Sequence, residues 1–241
     1  MPLNAAIASL SRVSLSEKEE MLALHRRYFC HVVRKTFLKD MEEKDWVIIL
    51  RAGGRIVGFS TIRLIHLTVG GRPCVFLFSG DTIVDRAHWQ SSAMAGSFGH
   101  FMLRMMDVYG EKDLYWFLIS KGHRTYRFLP VFFNRFYPAH DRPTPPRYAR
   151  ILNTVAKHRF GTDYDAKAGI VRMARKKDWL RPFMREVPVS RRSDPHVRFF
   201  LSRNPDYRRG DELACLADVS KANLNRLAWR VIRQNTVSWH E

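Results

Sequence analysis

The chain has few cysteines, few acids and no long apolar run, and each shortage narrows what it can be. Its three cysteines, Cys30, Cys74 and Cys215, are odd in number and far apart in 241 residues. That argues against a disulfide framework or a cysteine-based zinc site, and for a reducing cytoplasm. No apolar stretch approaches the ~20 residues that cross a bilayer, and the N-terminus lacks a basic region followed by an apolar one. Neither a transmembrane segment nor a secretion signal is expected. Repeats and low-complexity tracts are absent as well, which leaves a globular architecture. This length fits one elaborated domain with a sizeable core. With no spaced histidine and cysteine cluster and no nucleophile elbow, neither a metal nor a covalent mechanism is expected.

The scarcity of acids leaves a formal net charge of +18. Such a balance calls for an acidic partner: nucleic acid, an anionic membrane surface, a phosphorylated cofactor or an acidic protein. Basic residues concentrate after Ala139, in runs such as 175–177 and 191–192. A solvated basic face accounts for each of them equally well.

What is present reads in order as follows. Residues 1–13 carry no strong pattern and are expected to form a loose arm. Ser14 with Glu17, or Ser16 with Glu19, offers a reciprocal helix cap, after which Met21, Leu22, Tyr28, Val32 and Phe37 recur at helical spacing. One long helix, or two joined near residue 30, follows. Stretches 46–50, 56–67 and 74–84 are rich in β-branched and aromatic residues and are separated by Gly53-Gly54 and Gly70-Gly71, which predicts a three-stranded meander. A helix over 90–108 comes next, then a strand at 114–119 buried on both faces. Residues 124–136 read as a helix bent at Pro130, and 139–150 as a rigid, proline-rich connection. Another helix is predicted over 147–158. Stretches 197–202 and 212–217 then suggest a C-terminal hairpin, and an amphipathic helix over about 219–236 closes the chain.

The stretch at 75–103 organises the rest. An apolar strand runs into a small-residue turn and then into a helix, whose first-turn N–H groups and dipole suit an anion. Ser91, Ser92, Ala93, Ala95, Gly96 and Ser97 would let a phosphate come close. An ordinary strand-to-helix connection with a small packing face explains the same residues.

Helix, meander, small-residue loop opening a helix, buried strand, helix and late hairpin together resemble the GNAT (Gcn5-related) N-acyltransferase superfamily over about 16–138 and 196–218. The resemblance implies an α/β (α+β) fold with a central mixed, mainly antiparallel sheet flanked by helices, here with a basic insertion over about 139–195. It also implies an N-acyltransferase that moves an acyl group from acyl-CoA, without metal, to a small-molecule or peptide amine. The family's pyrophosphate loop corresponds to Gln90, Ser91, Ser92, Ala93, Met94 and Ala95. Alanine at 93 replaces the central glycine, so an acyl-phosphopantetheine donor on an acidic acyl carrier protein is a consistent alternative. N-acyl amino acid synthases and acyl-homoserine-lactone synthases are relatives that resemble it in using such donors or long acyl chains. The aromatic run at 128–136 is a candidate wall for a long acyl chain, or simply core.

Direct transfer needs a neutral amine, a polarised carbonyl and an acid for the thiolate. Tyr126 occupies the region where the family often keeps the tyrosine that protonates the thiolate. Asp81, a carboxylate among apolar strand residues, is the first candidate base, with His88 and His123 as alternatives. A rival reading is a nucleic-acid-binding protein of the tRNA or RNA class, with the positive charge on phosphates and Tyr148, Phe160, Tyr164 and Tyr207 stacking on bases.

Overall fold

A computed structural model describes residues 3–172 and 178–240, so the basic run at 175–177 lies outside the described residues. The chain opens with β1 (Asn4–Ser9), α1 (Leu15–Tyr28), the short β2 (Phe29–Cys30) and α2 (Arg34–Glu42). The meander β3 (Trp46–Ala52), β4 (Arg55–Val69) and β5 (Arg72–Val84) leads into α3 (Ala93–Tyr109) and β6 (Leu114–Ser120). Two short helices, α4 (His123–Tyr126) and α5 (Phe128–Phe132), precede α6 (Pro146–Phe160). Short strands β7 (Tyr164–Asp165), β8 (Ile170–Val171) and β9 (Trp179–Leu180) follow, then α7 (Pro182–Arg185) and α8 (Pro195–Arg203). The chain closes with β10 (Glu212–Asp218), α9 (Arg226–Gln234) and β11 (Ser238–His240).

Nine strands form one mixed sheet in the order β11-β1-β3-β4-β5-β6-β10-β8-β7. Only β1 with β11 and β5 with β6 are parallel; the other pairs are antiparallel. The expected mixed, mainly antiparallel sheet flanked by helices is therefore present. Both glycine pairs have positive φ at each residue, 55° and 80° at Gly53-Gly54 and 59° and 77° at Gly70-Gly71. That conformation matches the twist of a two-residue hairpin and favours glycine. Ser14 caps α1 reciprocally with Glu17, as its spacing indicates.

Alternate residues of each strand serve opposite faces. On one face Val47, Ile49 and Phe59 meet α1 and α2 through Met21, Leu22, Phe37 and Met41. Farther along that face Phe76, Phe78, Tyr115 and Phe117 meet α6 through Ile151, Leu152 and Val155. On the other, Ile48, Leu77, Trp116, Leu118 and Cys215 pack under α3 and α9.

Four expectations change. Residues 4–9 are a sheet strand rather than a loose arm, with Ile7 fully buried and paired opposite Ile48. Their small side chains carry little hydrophobic signal, and the pairing itself orders them. The C-terminal hairpin is absent: 195–203 is a helix, because the Asp194 carboxylate accepts from the amides of His196 (2.9 Å) and Val197 (3.4 Å), and Pro195 occupies its first turn. Strand β10 pairs instead with β6 and β8. Part of the expected 139–195 insertion thus joins the sheet through β7 and β8, while its helix α6 covers a face. The last helix starts at Arg226, where Asn225 Oδ1 accepts from the Ala228 amide at 2.9 Å, rather than near residue 219.

Candidate functional site

Strands β5 and β6 stay hydrogen-bonded only from Val75↔Leu114 to Ser79↔Leu118. Beyond that β5 runs on to Val84 and β6 to Ser120 without pairing to each other. The cause is local. The β4–β5 register shifts between Ser60 and Ile62, with Ser60 opposite Thr82 and Ile62 opposite Ser79, so Gly80 and Asp81 of β5 stand against Thr61 alone, one residue extra. Such a bulge bends its strand and raises its twist. It turns β5 away from its neighbour at the end where α3 begins.

Two cavities open into this gap, and Thr82, Met94, Ala95, Thr125 and Phe128 line both. The outer one, about 440 Å³, is a polar mouth with His88, Lys121, His123, Arg124, Arg127 and Arg191 in its wall. The inner one, about 40 Å³, is apolar, bounded by Phe98, Met102, Trp116, Phe132, Phe133 and Ile232. Four of its polar groups pair with one another. Trp116 Nε1 donates to Ser79 Oγ (2.9 Å), and the Ser60 and Thr82 hydroxyls lie 2.8 Å apart.

Helix α3 directs its N-terminus at the mouth. Gly96 N makes the first intrahelical bond, to Ser92 O, and the Ala93 amide donates to Ser91 Oγ at 3.1 Å. Helix geometry leaves the amides of Met94 and Ala95 without an intrahelical partner, and both residues line the mouth. Two donors and the positive end of a 17-residue helix thus face a basic cavity.

The mouth's cations fall into two groups. Lys121 Nζ lies 3.7 Å from carboxylate oxygens of both Asp178 and Glu212, and Arg127 pairs with Asp194 at 3.0 Å. Arg124, Arg191 and the adjoining Arg86 and Arg192 make no ion pair among the described residues. Arg124 lies over the Trp89 ring at 4.3 Å, and Arg86 reaches the same ring at 5.9 Å. Burial, and then repulsion from Arg86, shifts the Arg124 guanidinium below its ordinary pKa. An anion bound there would relieve that repulsion.

The expected site residues divide. Gln90, Ser91, Met94 and Ala95 line the mouth, and so does His88. Ser92 instead accepts from the Asn235 side chain at 3.0 Å, and Ala93 is packed in the core. Gly96 and Gly99 serve helix packing rather than an anion: a Cβ on either would lie 2.6 Å or 2.3 Å from Asn235 or Ile232. Asp81 lines neither cavity. Tyr126 is fully buried, lines neither cavity, and donates its hydroxyl to Pro138 O at 2.9 Å. Burial raises its pKa further. The structure does not bring Tyr126 to the cleft. His123 does reach the mouth but is only 3% exposed, and burial, followed by Arg124 and Arg127, lowers its pKa to about 4.

Sequence reasoning missed Arg86, Arg124 and Trp89. A tryptophan three residues after an arginine, ahead of the small-residue loop, was the available signal. Thr82 and the inner wall from α9 were missed as well, because an apolar stripe reads as core whether or not a cavity lies beside it. The aromatics suggested for base stacking are packed against the protein: Tyr164 and Tyr207 are buried, half-buried Phe160 packs on Phe78, and half-buried Tyr148 lies 4.5 Å from Tyr137 between ring centroids. Among the described residues there is no helix long and apolar enough to cross a membrane, and no cluster of metal-ligating side chains.

No protein-family model matches the chain, and no curated protein sequence does. Several solved structures are similar over part of it. One is a conserved protein of unknown function from Enterococcus faecalis V583, described as a "Probable N-Acyltransferase", with 9% identity, a TM-score of 0.44, and coverage of 56% of this chain and 33% of that one. Another is a GCN5-related N-acetyltransferase from Kribbella flavida, with 12% identity, a TM-score of 0.42, and coverage of 56% and 35%. A third is a GNAT family N-acetyltransferase from Escherichia coli in complex with CoA, with 15% identity, a TM-score of 0.38, and coverage of 55% and 70%. The matched part spans about a third of the length of the first two.

Proposed function

We propose that the chain is a GNAT-type N-acyltransferase that takes an acyl group from a pantetheine thioester and passes it directly to an amine. The observation that carries this reading is the parting of β5 and β6 onto two joined cavities, one basic and one apolar. Pantetheine contains amides, and strand edges that have lost their partner offer N–H and C=O groups to them. Phosphates would sit against the Met94 and Ala95 amides, with Arg124 and Arg86 alongside. The acyl tail would enter the apolar cavity.

The residues then divide the chemistry. The amine nitrogen attacks the thioester carbonyl, a C–N bond forms and the C–S bond breaks. Half-buried His88 in the mouth is the group placed to take the ammonium proton, and water returns a proton to the thiolate. His123, neutral at physiological pH, shapes the mouth without adding charge.

The donor is coenzyme A or the phosphopantetheine of an acidic carrier protein. The basic rim favours considering the second: Arg86, Arg124, Arg192 and Arg208 line one adjoining hollow with a single acid, Glu186. Initial-rate measurement of thiol release, with short acyl-CoAs and an acylated carrier protein against a panel of amines, tests both. Amine-dependent release supports the reading, and the better donor identifies the partner. Release from neither donor, with no amine acylated, would sink it.

A further inference from the structure

The apolar cavity is closed by a segment outside the stretches that carry the family resemblance. Helix α9 contributes Ala228 and Ile232 to its wall, at 2% and 4% exposure. This helix is held tightly. Gly99 of α3 leaves no room for a Cβ beside Ile232, and Gly96 leaves none beside Asn235. His100 Nε2 lies 3.0 Å from Ile232 O and 2.8 Å from Asn235 O. The Asn235 side-chain amide donates to Ser92 Oγ (3.0 Å) and Val231 O (2.7 Å). Beyond it β11 joins the sheet beside β1. A wall fixed at so many points cannot slide outward to admit a larger guest, so the side chains it presents set the room available.

That room is small. At about 40 Å³, it is only a few times the roughly 10–15 Å³ that one water-sized sphere needs. An acyl tail of about two to four carbons fits at that scale. A longer one meets Ile232 from α9 or Met102 from α3.

We infer that the C-terminal helix fixes acyl length through Ala228 and Ile232, making thioesters of short carboxylic acids the donor class. This assignment rests on the acyltransferase reading. It replaces the expectation that the aromatic run at 128–136 borders a long chain: Phe128, Phe132 and Phe133 do line the space, but α9 closes it.

The test is calorimetric titration of coenzyme A and its S-alkyl thioethers from ethyl to octyl, whose alkyl group stands in for the acyl tail. Wild type is expected to bind ethyl to butyl derivatives best and to lose on the order of tenfold or more for each methylene that does not fit. Ile232→Ala moves the optimum to longer chains by about two carbons, and Ala228→Leu confines tight binding to the ethyl derivative. Should Ile232→Ala fail to fold, Met102→Ala enlarges the cavity from α3 and leaves the contact of Gly99 with Ile232 in place. An octyl optimum in wild type, or one chain-length profile shared by wild type and the variants, overturns the length assignment while leaving coenzyme A binding intact. Failure of wild type to bind both coenzyme A and a carrier protein bearing phosphopantetheine overturns the cleft reading itself, and this inference with it.

Discussion

The two ends of one strand pair behave oppositely. At the closed end of β5 and β6, Phe76 faces Tyr115 with ring centroids 5.5 Å apart, and Phe78 faces Phe117 at 5.2 Å. At the open end stand Gly80, Thr82, Ser120 and Gly122, with a bulge in β5. Large paired rings draw the strands together and bury area; small residues and a bulge give neither benefit. Stability and function are thereby separated along the same two strands. The closed end holds the sheet, and the open end supplies backbone and space for a ligand.

The largest expected effect comes from breaking the closed end. Phe117→Ala removes a fully buried ring and should lower unfolding free energy by about 3–5 kcal/mol in chemical denaturation. Acyl preference per folded molecule should not change, and a changed preference would mean the two ends are not separable. At the open end the expected pattern reverses. Ala95→Glu puts a carboxylate in the first turn of α3, where the dipole favours it and folding is preserved. It competes with phosphate and should weaken coenzyme A binding by about tenfold or more, ~1.4 kcal/mol, with the melting temperature unchanged.

Arg124→Gln sharpens the account of the mouth. Loss of an unneutralised guanidinium should raise KM for the donor by about tenfold with little change in kcat, and flatten the dependence of KM on ionic strength. His123 offers a pH readout. Its pKa in the folded chain is lowered to about 4, below the ~6.5 of an unfolded histidine, so between those values the unfolded chain binds more protons. Stability from this group is therefore full above about pH 6.5 and is lost as pH falls toward 4, with a slope of up to about 1.4 kcal/mol per pH unit. His123→Gln should flatten that part of the stability profile; an unchanged slope would remove His123 as its cause. The smallest effect belongs to Tyr126. Removing its one hydroxyl bond, in Tyr126→Phe, should cost about 1 kcal/mol of stability and leave kcat within about a factor of two. A large fall in kcat would restore the acid role that its burial argues against.

Much of the frame was legible because local chemistry states it. Glycine pairs mark hairpins, Ser14 with Glu17 marks a helix start, and the apolar run at 114–119 marks a strand covered on both faces. The C-terminal region was less so. Val197 and Phe200 are compatible with a strand until the Asp194–Pro195 start signal is weighed, and the small residues of 4–9 form a strand only through pairing. At the site, position in the chain led to the loop at 90–95, part of which lines the mouth, but gave no side-chain direction. Tyr126 sits in the expected region with its hydroxyl turned into the core, on Pro138 O. A cavity depends on what several distant segments leave unfilled, and Ala228 meets Met102 there only after α9 packs on α3.

A crystal structure with coenzyme A bound tests the central claim most directly. The pantetheine arm is expected between residues 80–84 and 119–122, with its phosphates at the Met94 and Ala95 amides and its sulfur toward the apolar cavity. Coenzyme A bound elsewhere, or a cleft that stays empty with both coenzyme A and a carrier protein bearing phosphopantetheine, would contradict it.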